Sequence, residues 1–96
     1  IVGDPEKMIR LMALACGAAD EFLEHARQAH CDGMLLGEAR FHTCLEAEAC
    51  DIGLILPGHY ASEHFAMECL AEVIAAEFAN VTAWASRSEY DPVKTR

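Results

Sequence analysis

Apolar positions along this chain fall into short continuous runs that alternate with longer stretches of helical period. Ile9 to Cys16 is a short apolar run closed by Gly17, the pattern of a buried strand. From Ala19 to His30, Phe22, Leu23, Ala26 and Ala29 recur at helical spacing, with Asp20 and Glu21 enriching the start. Gly33-Met34-Leu35-Leu36-Gly37 is a second strand, and Phe41, Leu45 and Ala49 mark a second helix over 40–50. Ile52 to Leu56 runs into Pro57-Gly58, a strand ended by two breakers. The longest helical segment covers about 60–79, with Ala66, Leu70, Val73, Ile74 and Phe78 on one stripe. Val81 to Ala85 reads as a last strand, with Trp84 packing on a helix. Strands separated by helices of this length imply parallel pairing and right-handed crossovers. The pattern therefore predicts an α/β, three-layer fold with a mainly parallel sheet in β-α-β-α-β-α-β order.

Length and composition narrow this picture. Ninety-six residues, 53% of them apolar, supply a core for one domain over 1–96 and exclude intrinsic disorder. A domain this small buries only roughly 60–65% of the surface of its unfolded chain, so a metal, a partner or more of the same polypeptide is expected to help. The chain opens on Ile1 instead of Met, as a fragment or processed product would. Sixteen acidic against seven basic residues give a net charge of −9, which repels phosphate backbones and argues against a nucleic-acid partner. Neither a membrane-length apolar run nor a signal peptide is present, so no membrane association is expected. Five cysteines (Cys16, Cys31, Cys44, Cys50, Cys69) form no C-x-x-C pair. Most sit in apolar surroundings as small core residues would, which favours the cytoplasm over a disulfide framework.

In an open parallel sheet, ligands collect outside the carboxyl ends of the strands. Glu38 follows the second strand, with Arg40 and His42 on the turn and helix after it; His59 follows the third, with Glu63 one turn further on. His59 and Glu63, four residues apart at a helix start, share one face about 6 Å apart at Cβ. An imidazole and a carboxylate so placed suit zinc, manganese or iron. The same spacing also fits an ordinary surface pair, with Glu63 favourable to the helix dipole. Glu38 and His42 repeat the spacing in reverse order, as outer ligands that orient a metal site or as proton carriers for a bound water. His25, His30 and His64 have no comparable setting. The loop from Cys16 to Asp20 has one glycine and an acidic residue at the helix start, a poor phosphate cradle, and excludes a dinucleotide-binding or P-loop reading.

Three segments carry a family resemblance: Gly37-Glu38-Ala39-Arg40-Phe41-His42, Gly58-His59-Tyr60-Ala61-Ser62-Glu63, and Asp91-Pro92. Together with Val2-Gly3-Asp4-Pro5, they resemble the NGG-interacting-factor-like family of dinuclear-metal-centre hexameric proteins, whose members carry the name GTP cyclohydrolase 1 type 2 homologue. The resemblance implies the C-terminal portion of that fold. It implies metal ligation by His59 and Glu63, with two divalent ions per complete site, and places Glu38 and His42 in the same pocket as catalytic candidates. The family's other ligands, an adjacent histidine pair and an aspartate, are not in this sequence. A homo-oligomer, hexameric for the full-length protein, is implied in the same way. Two function classes follow: a metal-dependent hydrolase acting on a nucleotide-like substrate, or a non-catalytic oligomeric assembly or regulatory module.

Overall fold

The structure, a computed structural model, describes residues 1–94. The chain forms two compact units, 1–62 and 63 onward.

The first unit is built on a three-stranded parallel sheet, β1 (Met12–Leu14), β2 (Gly33–Leu35) and β3 (Gly53–Ile55), in spatial order β1-β2-β3. Met12 is in register with Gly33 and Gly33 with Gly53, so the rows run straight across all three strands. A short 3-10 turn (Asp20–Phe22) leads into α1 (Leu23–Gln28) between the first two strands, and α2 (Phe41–Ala49) joins the second pair. Two crossovers of one hand, stepping the same way across a sheet, put both helices on one face. The core follows: Met34, Leu36 and Leu54 lie on that face and are 1% exposed, packed with Leu23 and Ala26 of α1 and Ala47 of α2. Leu14 and Ile55, on the alternate positions, turn to the opposite face and are exposed.

Both helices end alike. His30 and Asp51 take left-handed backbone angles (φ 57° and 56°), and the next N–H, of Cys31 or Ile52, donates back to Ala26 or Ala47 at 2.9 Å. Such a stop satisfies the last carbonyls and turns the chain straight into the following strand. The amino-terminal end of the sheet is tied by side chains. The Asp32 carboxylate accepts the N–H groups of Arg10 and Leu11 at 2.9–3.1 Å, and those bonds hold it below its ordinary carboxylate range. Val2 pairs antiparallel with Leu54 and covers the outer edge of β3.

The third helix, α3 (His59–Glu77), begins in the first unit and runs on in the second. Its expected apolar stripe is not a core stripe: Leu70, Val73 and Phe78 are about half exposed or more. Within the second unit the segment after the helix lies against it, with an open groove of about 400 Å³ between Leu70 and Ile74 on one side and Ala83 and Trp84 on the other. The strand expected over Val81–Ala85 is not formed among the described residues, and the element order stops at α3. Its burial still alternates, with Ala83 and Ala85 half-buried between exposed neighbours. A strand pattern becomes a strand only where a neighbour supplies the ladder, and the second unit has no strand among its described residues. Trp84, expected to pack on a helix, is 74% exposed. Most of the five cysteines were expected to sit as small core residues, but Cys16, Cys50 and Cys69 are exposed and Cys31 and Cys44 half-buried. No helix of the described residues is long and apolar enough to cross a membrane.

Two substitutions test this packing by urea unfolding. Leu54→Ala is expected to cost about 2–5 kcal/mol through the lost side chain and the cavity it leaves. His30→Gly is expected to stabilise by roughly 0.5–1 kcal/mol, since glycine takes the left-handed angle without steric cost.

Candidate functional site

The carboxyl ends of the three strands are drawn together by backbone contacts at three glycines. Gly17 (φ 66°) follows β1, Gly37 follows β2, and Gly58 (φ 97°) follows β3. The Glu38 N–H donates to the Gly17 carbonyl at 3.2 Å, and the Gly58 N–H to the Gly37 carbonyl at 2.9 Å. At Gly37 there is no room for a side chain. A Cβ would stand 2.7 Å from Ser62 Oγ and 2.9 Å from the Gly17 oxygen. Ser62, buried in the first turn of α3, donates its hydroxyl to the His59 carbonyl at 2.9 Å.

This convergence brings two of the sequence candidates into contact. Glu38 Oε1 lies 2.8 Å from His59 Nδ1, with both side chains about half exposed. A carboxylate at that distance accepts a hydrogen bond from Nδ1–H and so favours the tautomer with its lone pair on Nε2, the one a metal-ligating histidine needs. Glu63 stands one turn beyond His59 on α3. His42 is the second residue of α2 and exposed. Sequence reasoning joined Glu38 to His42; the geometry joins Glu38 to His59, because Gly37 and Gly58 hold their two loops side by side. Among the described residues, no group of three or more His, Cys, Asp or Glu side chains is arranged to hold a metal ion.

Several positioning residues escaped the sequence reading. Asp20, almost buried, accepts the Arg40 N–H at 2.9 Å and so caps the start of α2 from another segment. A hydrogen bond from the Thr43 side chain, then the Arg40 bond, lowers the Asp20 carboxyl from its ordinary value of 3.8. An aspartate in a first turn was read as a dipole partner of its own helix; its long-range job has no local signature. In the second unit, His64 Nδ1 lies 3.0 Å from Glu89 and its Nε2 3.9 Å from Glu68. Only the Glu68 contact, at four residues, has a spacing that sequence displays.

Comparison with known proteins gives this arrangement its context. The model of the family described as Duf34/NIF3 (NGG1p interacting factor 3) matches residues 1–92. The chain belongs to that family. A Neisseria meningitidis protein named GTP cyclohydrolase 1 type 2 homolog is 33% identical over 81 residues, which are 81% of this chain and 31% of that protein. A Streptomyces coelicolor protein of the same name is 34% identical over 64 residues, 66% of this chain and 22% of its own. The fold superposes on Staphylococcus aureus hypothetical protein SA1388 with a TM-score of 0.88 and 26% identity, covering 99% of this chain and 33% of that one. A Bacillus cereus protein related to NIF3, at 22% identity and a TM-score of 0.78, shares the fold. The chain thus spans about a fifth to a third of the length of these relatives.

Two expectations follow. Gly37→Ala should destabilise by about 1–3 kcal/mol, as forced overpacking does. In the native protein it should also lengthen the Glu38–His59 contact, seen as a changed ¹⁵N shift at His59 Nδ1. Asp20→Asn should cost about 1–2 kcal/mol at neutral pH, the usual loss of a cap with its hydrogen bonds. Because the folded-state carboxyl is lowered, its stabilisation is complete above the ordinary value and fades as pH falls through the lowered one. The stability gap between wild type and Asp20→Asn should therefore close as urea midpoints are followed from pH 6 down below 3.8.

Proposed function

We propose that this chain contributes a histidine and carboxylates to a divalent-metal site, and that the parent function is a metal-dependent hydrolysis of a nucleotide-like substrate. The observation that supports it is the 2.8 Å contact between Glu38 and His59 at the carboxyl edge of a parallel sheet, where such folds bind ligands. In this reading His59 Nε2 and the Glu63 carboxylate are ligands for zinc, manganese or iron. Glu38 fixes the ring orientation and tautomer of His59 from behind. His42, next along that edge, is the candidate to carry a proton. Bound divalent ions supply a more acidic water and polarise an oxygen of the substrate. The substrate class rests on the name of the relatives, GTP cyclohydrolase 1 type 2 homolog.

The donor set fits part of such a site. Tight zinc or manganese sites use three or four protein ligands, and His59 with Glu63 supplies two. Weak, substoichiometric binding by this chain is therefore expected. A second reading, a non-catalytic oligomeric module in which any metal shapes an assembly, is favoured by that same shortage of ligands among the described residues.

Titration with zinc and manganese, read by calorimetry and elemental analysis, tests the site. A His59→Ala, Glu63→Ala double variant should abolish the binding, and Glu38→Gln should weaken it about 10- to 100-fold. Binding that persists in the double variant would move the site elsewhere, the cysteines first. Loss of hydrolysis in Glu63→Ala, with assembly intact, selects the enzyme; loss of assembly alone selects the module.

A further inference from the structure

Among the described residues, the carboxyl edge of the first unit carries one permanent cation. Of the four basic side chains in residues 1–62, Lys7 pairs with Asp51 at 2.8 Å at the amino end of the sheet. Arg10 is tied through its backbone to Asp32 at that same end, and Arg27 pairs with Glu24 at 2.6 Å on α1. Arg40 is the fourth, and it stands at the start of α2, two residues after Glu38. Its backbone is extended (φ −70°, ψ 153°), and burial alternates along 38–40. Ala39 packs against the core, while Glu38 and Arg40 on either side of it are exposed. Alternate residues of an extended segment share a face, roughly 6–7 Å apart. Arg40 therefore lies on the same face as Glu38, and Asp20 holds it there. That carboxylate accepts the Arg40 N–H at 2.9 Å, and its Oδ1 lies 3.6 Å from Arg40 Nε, the inner edge of the guanidinium. The side chain is 69% exposed, so its outer Nη pair faces away from the core.

Charge gives this placement a use. A phosphate approaching His59 meets the carboxylates of Glu38 and Glu63, in a chain whose net charge is −9. A bound metal offsets part of that repulsion, and a cation beside it is needed for a group that carries more than one negative charge. A guanidinium suits the task, because it stays charged at every working pH and its planar paired donors match phosphate oxygens. The Asp20 contact at 3.6 Å is too long for a hydrogen bond, so it orients the arginine without consuming its donors. We propose that Arg40 binds a phosphate group of the substrate, its inner edge set by Asp20 and its outer Nη donors on the anion beside the Glu38–His59 pair. The proposal rests on the reading of this edge as the substrate site. It adds the part of the substrate that is recognised, the phosphate chain of a nucleotide-like molecule.

The test titrates the full chain, zinc-loaded and metal-free, with tripolyphosphate, guanosine triphosphate and guanosine, followed by NMR at the arginine Nε–H groups and the backbone amides. Both phosphates are expected to shift Arg40 Nε–H together with the Glu38 amide, and guanosine to shift neither. Arg40→Gln should weaken both phosphates by about tenfold or more, the loss of one charge-assisted contact. Arg40→Lys, which keeps the charge without the fork, should weaken them by about threefold. Neither variant should weaken zinc binding, and the urea midpoint should hold in both, because the N–H of residue 40 still donates to Asp20. Phosphates that leave Arg40 unshifted in both states, or that bind Arg40→Gln as tightly as wild type, overturn the proposal. So does a shift centred on Lys7 and Arg10. Zinc titration of the His59→Ala, Glu63→Ala double variant keeps the two readings apart. Zinc undiminished there, with Arg40 still shifted by phosphate, moves the metal and supports the phosphate contact. Zinc lost there, with Arg40 indifferent to phosphate in the wild type, overturns this proposal alone.

Discussion

The absence of a side chain at Gly37 is the constraint on which the carboxyl edge depends. Gly37 sits where the turn after β1, the end of β2 and the first turn of α3 close on one another, within 3 Å of Ser62 Oγ and the Gly17 oxygen. Only with that contact can the Gly58 N–H reach the Gly37 carbonyl and the Glu38 N–H reach Gly17. Those bonds hold the residues that follow Gly37 and Gly58, namely Glu38 and His59, at hydrogen-bond distance. The Glu38–His59 contact is thus set by the backbone packing of the glycines that precede each residue. The positive φ at Gly17 and Gly58 is the second requirement, since it turns each strand into its loop without a Cβ clash.

The two ends of the sheet are held by different means, and that difference bears on chemistry. At the amino end side chains do the tying. Asp32 takes the N–H groups of Arg10 and Leu11, and Lys7 pairs with Asp51 at 2.8 Å while also donating to the Asp51 carbonyl. At the carboxyl end the backbone does most of the tying through Gly17, Gly37 and Gly58, with Asp20 the one carboxylate committed to structure. The Glu38 and His59 side chains meet each other at this end, and both are about half exposed. In open parallel sheets the carboxyl end is where ligands bind.

Much of the architecture was legible because it rests on local periodicity. The runs at 9–16, 33–37 and 52–56 each contain a strand, and the helical spacing at 40–50 and 60–79 falls on α2 and α3 within a residue or two. Parallel pairing followed from helix-length connections, whereas the strand order came from the structure. Illegible were features that depend on what lies opposite. Val81–Ala85 has a strand's alternation and no ladder, while Leu70, Val73 and Phe78 have a core stripe's spacing and stay exposed. Pattern states which face an element offers, never whether something is present to take it. The site divided along the same line. Glu38 and His59 could be picked out from strand ends, but their pairing depends on two loops 21 residues apart meeting at a glycine.

The Glu38–His59 pair also explains why a half-exposed histidine is worth holding. An isolated imidazole at a helix start rotates and exchanges tautomers, so a ligand must select one arrangement and bear the ordering entropy itself. A carboxylate at 2.8 Å from Nδ1 makes that selection in advance, and Ser62, bonded to the His59 carbonyl, steadies the backbone beneath it. The cost of placing Glu38 there is small, because the carboxylate keeps its contact with water and forfeits little hydration. Pre-ordering of this kind improves an incomplete donor set more than a complete one. In the proposed site, with His59 and Glu63 as two ligands on one helix, the entropy saved at His59 would be a larger share of the binding free energy than in a site closed by four. The geometry therefore suits a histidine that contributes to a shared site, where each segment must arrive already oriented.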